Sequence, residues 1–371
     1  MRLSVVSCLK AILTGLYVTR LDRAMAGLTS GVGVVFMLHR VRPAEMAAKG
    51  PNRILEVTPE FLDETIVLTR RLGYDIVSLD EAHARLKGGE FDRPFACFTL
   101  DDGYRDNRDH ALPVFQRHKA PFAVFVPSDF ADGRGDLWWV KLEAVIEALD
   151  HVDVRLDGVH HRLPASTRDQ KDAAFSRIYW WLRAIPEQAA RDFVAELVAR
   201  TGLDLSSLCT ELILSWGELR DMARDPLVTI GAHTRRHLAL AKLSRAEAVL
   251  EIAEGHARLE KELGRKIHHF SYPYGDETSA GPRDFEIVRE AGFRTAVTTR
   301  KGILQATDSA SPFGLCRLSL NGDYQKARYV QVLMSGLPFA ILNSARRLRP
   351  TRGWIPGLTR SGRSRVAHTS S

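Results

Sequence analysis

The 371-residue sequence has few cysteines and none of the spacings that build disulfide frameworks or cysteine metal sites. No pair stands in a Cys-x-x-Cys arrangement, and the four residues lie far apart: Cys8, Cys97, Cys209 and Cys316. The sequence therefore predicts neither a disulfide-stapled scaffold nor cysteine-ligated zinc, and a reducing compartment is compatible with this cysteine usage.

Long apolar runs are also missing, since no stretch reaches the roughly 20 residues that a membrane-spanning helix needs. Residues 1–29 begin like a signal peptide, but Lys10 interrupts the apolar run and Arg20, Asp22 and Arg23 surround the cleavage-like "AMA". The apolar residues recur at helical spacing, which predicts an amphipathic helix packed on the domain or lying on a membrane surface. We therefore expect a protein without a signal peptide, cytoplasmic or peripherally associated with the inner membrane.

Acidic residues are absent from the end of the chain. Residues 343–371 contain seven Arg and no Lys, Asp or Glu, so this segment accounts for the whole net charge of +7. The composition predicts a solvated, disordered extension, with attraction to an anionic surface as the alternative. Aromatic residues are not interleaved with the arginines as in nucleic-acid-binding segments, so we expect no nucleic-acid partner.

Eight short runs of β-branched and aromatic residues alternate with helical segments. The runs are 34–41, 74–79, 95–102, 122–130, 228–234, 268–275, 295–300 and 312–320. Most are continuously apolar, as in parallel strands covered on both faces. This pattern predicts an α/β fold, either a barrel or a doubly wound sheet.

Helix boundaries carry clear signals in two segments. One has Thr58 as an N-cap, Pro59 at the first helical position and Gly73 as a stop. The other starts with a capping box, Ser244 with Glu247 three residues later. Both segments are predicted to be helices.

The alternation of predicted strands and helices stops between about residues 134 and 215, where the sequence is rich in charged residues and has helical periodicity. We interpret this stretch as a helical insertion into the α/β domain. Four tryptophans lie in it: Trp138, Trp139, Trp180 and Trp181. They are expected to pack the core of the insertion, and a sugar-stacking platform is the alternative.

Two adjacent carboxylates, Asp101 and Asp102, follow the buried run "FACFTL" and precede a glycine. A turn is one interpretation, because Asp-Gly is a common turn dipeptide. The other is a division of labour in which one carboxylate binds an ion and its neighbour acts as a base, since successive side chains point in different directions.

Two histidines in "GAHTRRH", His233 and His237, stand in an i, i+4 relation after another predicted strand. Together with a carboxylate, two imidazoles would bind a divalent metal ion and leave a position for water. Zinc is the default ion, and cobalt, nickel or iron suit the same ligands. A pair of surface histidines is the alternative.

Two further strand ends carry candidates. In "FSYPYGD", Pro273 and Gly275 flank Tyr274, whose backbone N–H is a candidate oxyanion donor; the alternative is an ordinary turn. In "MLHRV", His39 is a candidate acid or a structural histidine. Active sites of α/β barrels lie at these strand ends.

Taken together, these stretches resemble the polysaccharide deacetylase family, also known as carbohydrate esterase family 4 or the NodB-homology domain. "FTLDDGYRD" is similar to its TFDDG motif, "HTRRH" to its two-histidine metal motif and "YPYG" to its third motif. The resemblance covers about residues 30–320 and implies a distorted (β/α) barrel of about seven strands. It also implies that Asp101 is the general base, that Asp102, His233 and His237 bind the metal, and that the Tyr274 N–H holds the oxyanion.

The chain departs from the family pattern in two places. Ser271 stands where the third motif usually has Arg, and the late Leu-x-x-His motif that supplies the acid is not visible. Some relatives, among them exopolysaccharide deacetylases, look circularly permuted and have the acid histidine in an early strand similar to "MLHRV". We therefore assign His39 as the acid and expect Arg317 to replace the missing arginine beside Asp101.

The sequence thus predicts residues 30–342 as a deacetylase barrel that includes the insertion, between an N-terminal amphipathic segment and the Arg-rich extension. The expected activity is metal-dependent hydrolysis of the N-acetyl amide of an N-acetylglucosamine-type sugar, in a polysaccharide or an oligosaccharide such as a chitooligosaccharide. A deformylase or deacetylase of a lipid-linked amino sugar and a catalytically silent sugar-binding barrel are the alternatives.

Overall fold

The computed structural model describes residues 5–89 and 91–348 of the chain. Its strands are β1 (Gly33–Leu38), β2 (Arg40–Val41), β3 (Glu56–Val57), β4 (Asp75–Ile76), β5 (Phe95–Leu100), β6 (Phe122–Val126), β7 (His151–Leu156), β8 (Val159–Pro164), β9 (Val228–Ala232), β10 (His269–Ser271), β11 (Thr295–Lys301) and β12 (Leu315–Ser319). Its α-helices are α1 (Val5–Val18), α2 (Leu21–Thr29), α3 (Pro59–Arg71), α4 (Leu79–Gly88), α5 (Leu112–His118), α6 (Ser128–Ala131), α7 (Trp138–Ala148), α8 (Arg168–Ala184), α9 (Glu187–Thr201), α10 (Leu208–Leu212), α11 (Trp216–Met222), α12 (Arg245–Leu263), α13 (Pro282–Glu290), α14 (Ala327–Met334) and α15 (Leu337–Leu348).

Seven parallel strands close into a barrel. The ring runs β1-β5-β6-β9-β10-β11-β12 and returns to β1, and the short β4 adds a parallel pairing at the start of β5. Closure is uneven: β1 and β5 pair over six residues, whereas β9 and β10 share one pair, Phe270 with Ala232. The predicted fold, a distorted barrel of about seven strands, is confirmed.

All eight predicted runs contain a strand of this sheet, but several strands are shorter than predicted. The run 74–79 keeps only Asp75–Ile76 in the sheet, because the Ser78 side chain accepts a hydrogen bond from the Glu81 N–H and starts α4. In the run 268–275 the strand ends at Ser271, ahead of the turn at Pro273. Local capping and turn chemistry therefore decided where the apolar runs left the sheet.

The two helices with explicit boundary signals form as predicted. Thr58 accepts a hydrogen bond from the Phe61 N–H at the start of α3. Ser244 and Glu247 form the predicted capping box of α12, which ends at Gly264 with φ +62°. These caps satisfy backbone groups that a helix end leaves unpaired.

The insertion between β6 and β9 was predicted to be helical. It is only partly so, because it also contains the antiparallel hairpin β7–β8. The hairpin turns at Asp157 and Gly158, both with positive φ, as a two-residue type I′ turn requires. Trp138 and Trp139 are buried in the core of the insertion, whereas Trp180 is 63% exposed. The alternating burial along β7 is the strand signal that the helical interpretation overlooked.

The N-terminal segment forms two helices, α1 and α2, which pack beside α14 and α15. Leu13 of α1 is buried against Tyr329 and Val332 of α14. No helix in the described ranges is both long and apolar enough to cross a membrane. The predicted Arg-rich extension begins inside α15, which is helical to Leu348, and its remainder lies outside the described residues.

Candidate metal and catalytic site

The predicted site residues converge at the carboxyl ends of the barrel strands. Six of the seven line one cavity of about 430 Å³: His39, Asp101, Asp102, His233, His237 and Tyr274. The seventh, Arg317, lies on β12 directly behind Asp101. Because these residues follow or belong to β1, β5, β9, β10 and β12, closure of the barrel is what brings them together.

Asp102, His233 and His237 form a buried cluster with the geometry of a metal site. Asp102 Oδ1 lies 3.5 Å from His233 Nε2 and 3.3 Å from His237 Nε2. The three potential ligand atoms lie within 4.8 Å of one another. One carboxylate oxygen and two imidazole nitrogens at such distances can face a single divalent ion.

Backbone conformation aims these side chains at the cavity. Four of the seven non-glycine residues with positive φ in the described chain belong to the site loops: Asp102, Thr234, His237 and Tyr274. Such conformations are unfavourable for residues with a Cβ and concentrate at functional sites. The Thr234 hydroxyl accepts a hydrogen bond from the His237 N–H at 3.0 Å and fixes this loop.

The hydrogen bonds around the cluster leave the ligand atoms free for a cation. His233 Nδ1 lies 2.6 Å from the Ser271 carbonyl, so Nδ1–H donates there and Nε2 carries the lone pair. Asp102 Oδ1 is buried and makes no hydrogen bond with any described residue. Since buried polar atoms are normally satisfied, the residues present fit a bound metal ion.

The electrostatics of the cluster keep its ligands in the metal-binding forms. Burial by itself would raise the pKa of Asp102, but the close approach of the His233 and His237 imidazoles outweighs it, and the pKa lies well below its ordinary value. Burial lowers the pKa of His237 to about 4, so its imidazole is neutral near pH 7. A carboxylate and a neutral imidazole are the forms that bind metals.

Asp101 is held by a bidentate ion pair. Arg317 Nη1 lies 2.9 Å from Asp101 Oδ1 and Nη2 lies 2.7 Å from Oδ2. Burial would raise the pKa of Asp101, but the charge of Arg317 lowers it below its ordinary value. Asp101 is therefore an ionised hydrogen-bond acceptor, and it is not one of the three clustered potential metal ligands.

Arg317 is completely buried and fully hydrogen-bonded around Asp101. Its Nε donates to the Thr298 carbonyl at 2.7 Å, and Nη2 donates to the Ser271 hydroxyl at 3.1 Å. The small Ser271 side chain thus stands next to the guanidinium that the sequence predicts in place of the missing arginine. That Arg317 replaces the family's arginine stays a prediction.

His39 completes the polar lining of the cavity. It follows β1, and its carbonyl accepts a hydrogen bond from Asn107 Nδ2 at 2.8 Å, which fixes the backbone at this position. The His39 side chain lines the same cavity as Asp101 and Asp102.

Tyr274 lines the cavity, and its side chain is held by the insertion. Its φ is +61°, and its N–H makes no hydrogen bond with any described residue. The Tyr274 hydroxyl accepts a hydrogen bond from Trp138 Nε1 at 2.8 Å, and the Arg183 guanidinium lies 3.7 Å from the ring centroid. The insertion therefore positions a residue of the barrel site.

Sequence motifs did not reveal the outer wall of the cavity. It comes from residues 51–55 and from one side of α8, and an ion pair of Arg53 with Asp172 joins the two at 3.0 Å. Trp180 and Ile54 are exposed at this rim. The only available signal was the helical spacing of Asp172, Ser176, Tyr179 and Arg183 along one stripe of α8.

Comparison with known proteins supports this architecture. A family model described as polysaccharide deacetylase matches residues 88–296, more than half of the chain. A search of curated proteins gave no match.

Among solved structures, the chain is similar to the Streptococcus pyogenes deacetylase PplD in complex with acetate, with TM-score 0.54 and 15% identity over 81% of this chain and 97% of that one. It is also similar to IcaB from Ammonifex degensii, with TM-score 0.50 and 19% identity over 83% and 98% of the two chains. At these identities the likeness shows the barrel fold.

Proposed function

Because the chain belongs to the polysaccharide deacetylase family, hydrolases of carbon–nitrogen amide bonds, we propose that it is a metal-dependent deacetylase of an N-acetylglucosamine-type sugar. The observation that carries this proposal is the pairing of two unlike carboxylates in one cavity. Asp101 is ionised and forms an ion pair with Arg317. Asp102 lies beside two imidazoles, and its Oδ1 has no hydrogen-bond partner among the described residues. A general base beside a metal ligand set is what amide hydrolysis by an activated water requires.

The proposed ligands are Asp102 Oδ1, His233 Nε2 and His237 Nε2. A divalent ion held there supplies Lewis acidity, which makes water more acidic and stabilises negative charge on an amide oxygen. Zinc is the proposed ion, and cobalt, nickel or iron suit the same donor set.

The residues of the chain divide the proton transfers between them. Asp101, kept ionised by Arg317, accepts a proton from the attacking water. The Tyr274 N–H donates a hydrogen bond to the oxygen that becomes negative in the tetrahedral state. His39, which lines the same cavity, gives a proton to the nitrogen of the departing sugar amine. The carbon–nitrogen bond then breaks and releases acetate and the free amino sugar.

Acetate release tests this proposal. The purified chain, loaded with zinc, is incubated with N-acetylglucosamine oligomers, N-acetylated polysaccharide and a lipid-linked N-acetylamino sugar, and acetate is measured. We expect release that disappears in Asp101→Asn and His39→Ala. Turnover retained in His39→Ala would refute the acid assignment.

The same assay separates the alternatives. Formate release from a lipid-linked N-formyl amino sugar, with no acetate from any acetylated substrate, would identify a deformylase. Sugar binding without acetate or formate under zinc, cobalt, nickel or iron would identify a silent sugar-binding barrel. The ionised base and the free ligand atoms argue against a silent barrel, because each is costly to keep in a buried cavity without a use.

A further inference from the structure

Exposed large apolar side chains are concentrated on three helices. Of the 14 such residues in the described chain, seven lie on α1, α2 and α15, which together comprise only 35 residues. We call this surface the apolar face: Leu9, Ile12, Val18, Leu21, Leu28, Ile341 and Leu342. Leu28 is 82% and Val18 71% exposed, so the described residues leave most of these two side chains uncovered.

The three helices form one surface. Helix α2 packs against both α1 and α15, and α14 lies behind them. The inner side of α1 is buried through Leu13 against α14, which leaves Leu9 and Ile12 on the outer side. At the other end of the surface, the Thr29 hydroxyl donates to the Ser335 carbonyl and joins α2 to the start of α15.

The exposed charges on α1, α2, α14 and α15 have one sign. Asp22 is the only acidic residue in segments 5–30 and 327–348, and it is buried and accepts a hydrogen bond from Gln331 Nε2 at 2.7 Å. Arg20 and Arg23 are exposed beside the apolar face. Exposed apolar side chains flanked by cations without exposed carboxylates match the chemistry of an anionic lipid surface.

We propose that the apolar face docks on a membrane containing anionic lipids, with the apolar side chains in the headgroup region and the arginines on phosphate groups. A second copy of the chain is a poorer occupant. A two-fold contact would bring Arg20 and Arg23 of both copies together with no exposed carboxylate from these helices to pair them.

The apolar face runs from the amino end of β1, where α2 meets the start of α15, to the part of α1 nearest the cavity. Lys10 Nζ of α1 lies 5.7 Å from the Tyr324 ring centroid, and the preceding residue, Asp323, lines the cavity. The Lys10 side chain therefore lies over the residue that follows a cavity-lining residue.

Vesicle co-sedimentation tests the proposal without any turnover. The full chain is mixed with phosphatidylcholine vesicles, with and without about 30% phosphatidylglycerol, at low and high salt. We expect binding to the anionic vesicles that weakens with salt and falls at least tenfold in Ile12→Asp and in Leu28→Asp. Arg20→Glu combined with Arg23→Glu should reduce the preference for anionic vesicles.

Leu250→Asp is the matched control, because Leu250 is 56% exposed on α12, compared with 58% for Ile12. It should leave vesicle binding unchanged, and circular dichroism should show that all variants are folded. Absence of binding by the unmodified chain, or unchanged binding in both face variants, would overturn the proposal. The proposal would also be overturned if light scattering showed a dimer that Ile12→Asp dissociates without changing lipid binding.

Discussion

Asp101 and Asp102 are neighbours in sequence, yet their surroundings demand opposite behaviour. Each oxygen of Asp101 accepts a hydrogen bond from Arg317, which keeps the carboxylate ionised. Asp102 has a positive φ that turns its side chain toward two imidazoles instead. The positive φ of Asp102 thus gives two adjacent carboxylates different partners and different chemical roles.

The first prediction separates these roles. Asp102→Asn should lower metal affinity by at least tenfold, because the amide oxygen is neutral and cannot replace a carboxylate ligand. Asp101→Asn should retain a stoichiometric ion and lose at least a hundredfold in turnover. Metal content by mass spectrometry and acetate release measure the two effects, and equal metal loss in both variants would show that the roles are divided wrongly.

The second prediction concerns Arg317. Replacing it with Met would leave the Asp101 charge buried and unpaired, so we expect a loss of about 3–5 kcal/mol of unfolding free energy. In the folded protein the pKa of Asp101 should rise, because Arg317 is what lowers it. A base with a raised pKa stays protonated up to a higher pH, so the acid limb of the pH–rate profile should shift to higher pH.

A double variant provides the control for this interpretation. Arg317→Ser combined with Ser271→Arg returns the arginine to the position that the family's third motif uses. The two side chains already contact each other at 3.1 Å, so the exchanged guanidinium can reach the same carboxylate. Recovery of the acid limb in the double variant would show that the charge matters; its failure would indicate that only the packing of Arg317 does.

At the scale of elements, the sequence was reliable where a local signal decides the structure. Thr58, Ser244 and Gly264 each act through contacts within a few residues, so α3 and α12 could be predicted from their caps. Asp157-Gly158 was an equally local signal for the hairpin β7–β8, but the surrounding helical pattern masked it. The metal ligands were predictable from motifs, whereas the outer cavity wall was not, because it forms only when residues 51–55 meet α8.

The third prediction belongs to helix α8. Trp180 is exposed at the cavity rim with no hydrogen bond from its indole to any described residue, so its face is available to a sugar ring. Trp180→Ala should raise the KM for an N-acetylglucosamine oligomer by about two- to tenfold, the worth of one aromatic contact, with little change in kcat. Initial-rate kinetics on oligomers of increasing length measure this effect.

Trp181 is the control for Trp180. It lies next in sequence but packs against Phe193 and donates its indole N–H to Asp157 at 2.9 Å, away from the cavity. Trp181→Phe should therefore leave the KM unchanged. An equal effect of both substitutions would assign the loss to a disturbed insertion.

For the whole molecule, closure of the barrel is what creates the site. Asp102 and His233 are more than a hundred residues apart in sequence, and they meet only because β5 and β9 both pair with β6. The unfolded chain therefore has no preformed ligand set. A metal ion should bind the folded state almost exclusively and stabilise it.

The fourth prediction follows from this linkage. At a free zinc concentration 100 times the Kd, binding adds about 2.7 kcal/mol to the unfolding free energy. Removal of the ion with a chelator should lower the Tm by several degrees, and added zinc should restore it. In Asp102→Asn the Tm should no longer respond to zinc, whereas in Asp101→Asn it should respond as in the unmodified chain. If zinc changed the Tm of neither the unmodified chain nor the two variants, Asp102, His233 and His237 would not form the metal site.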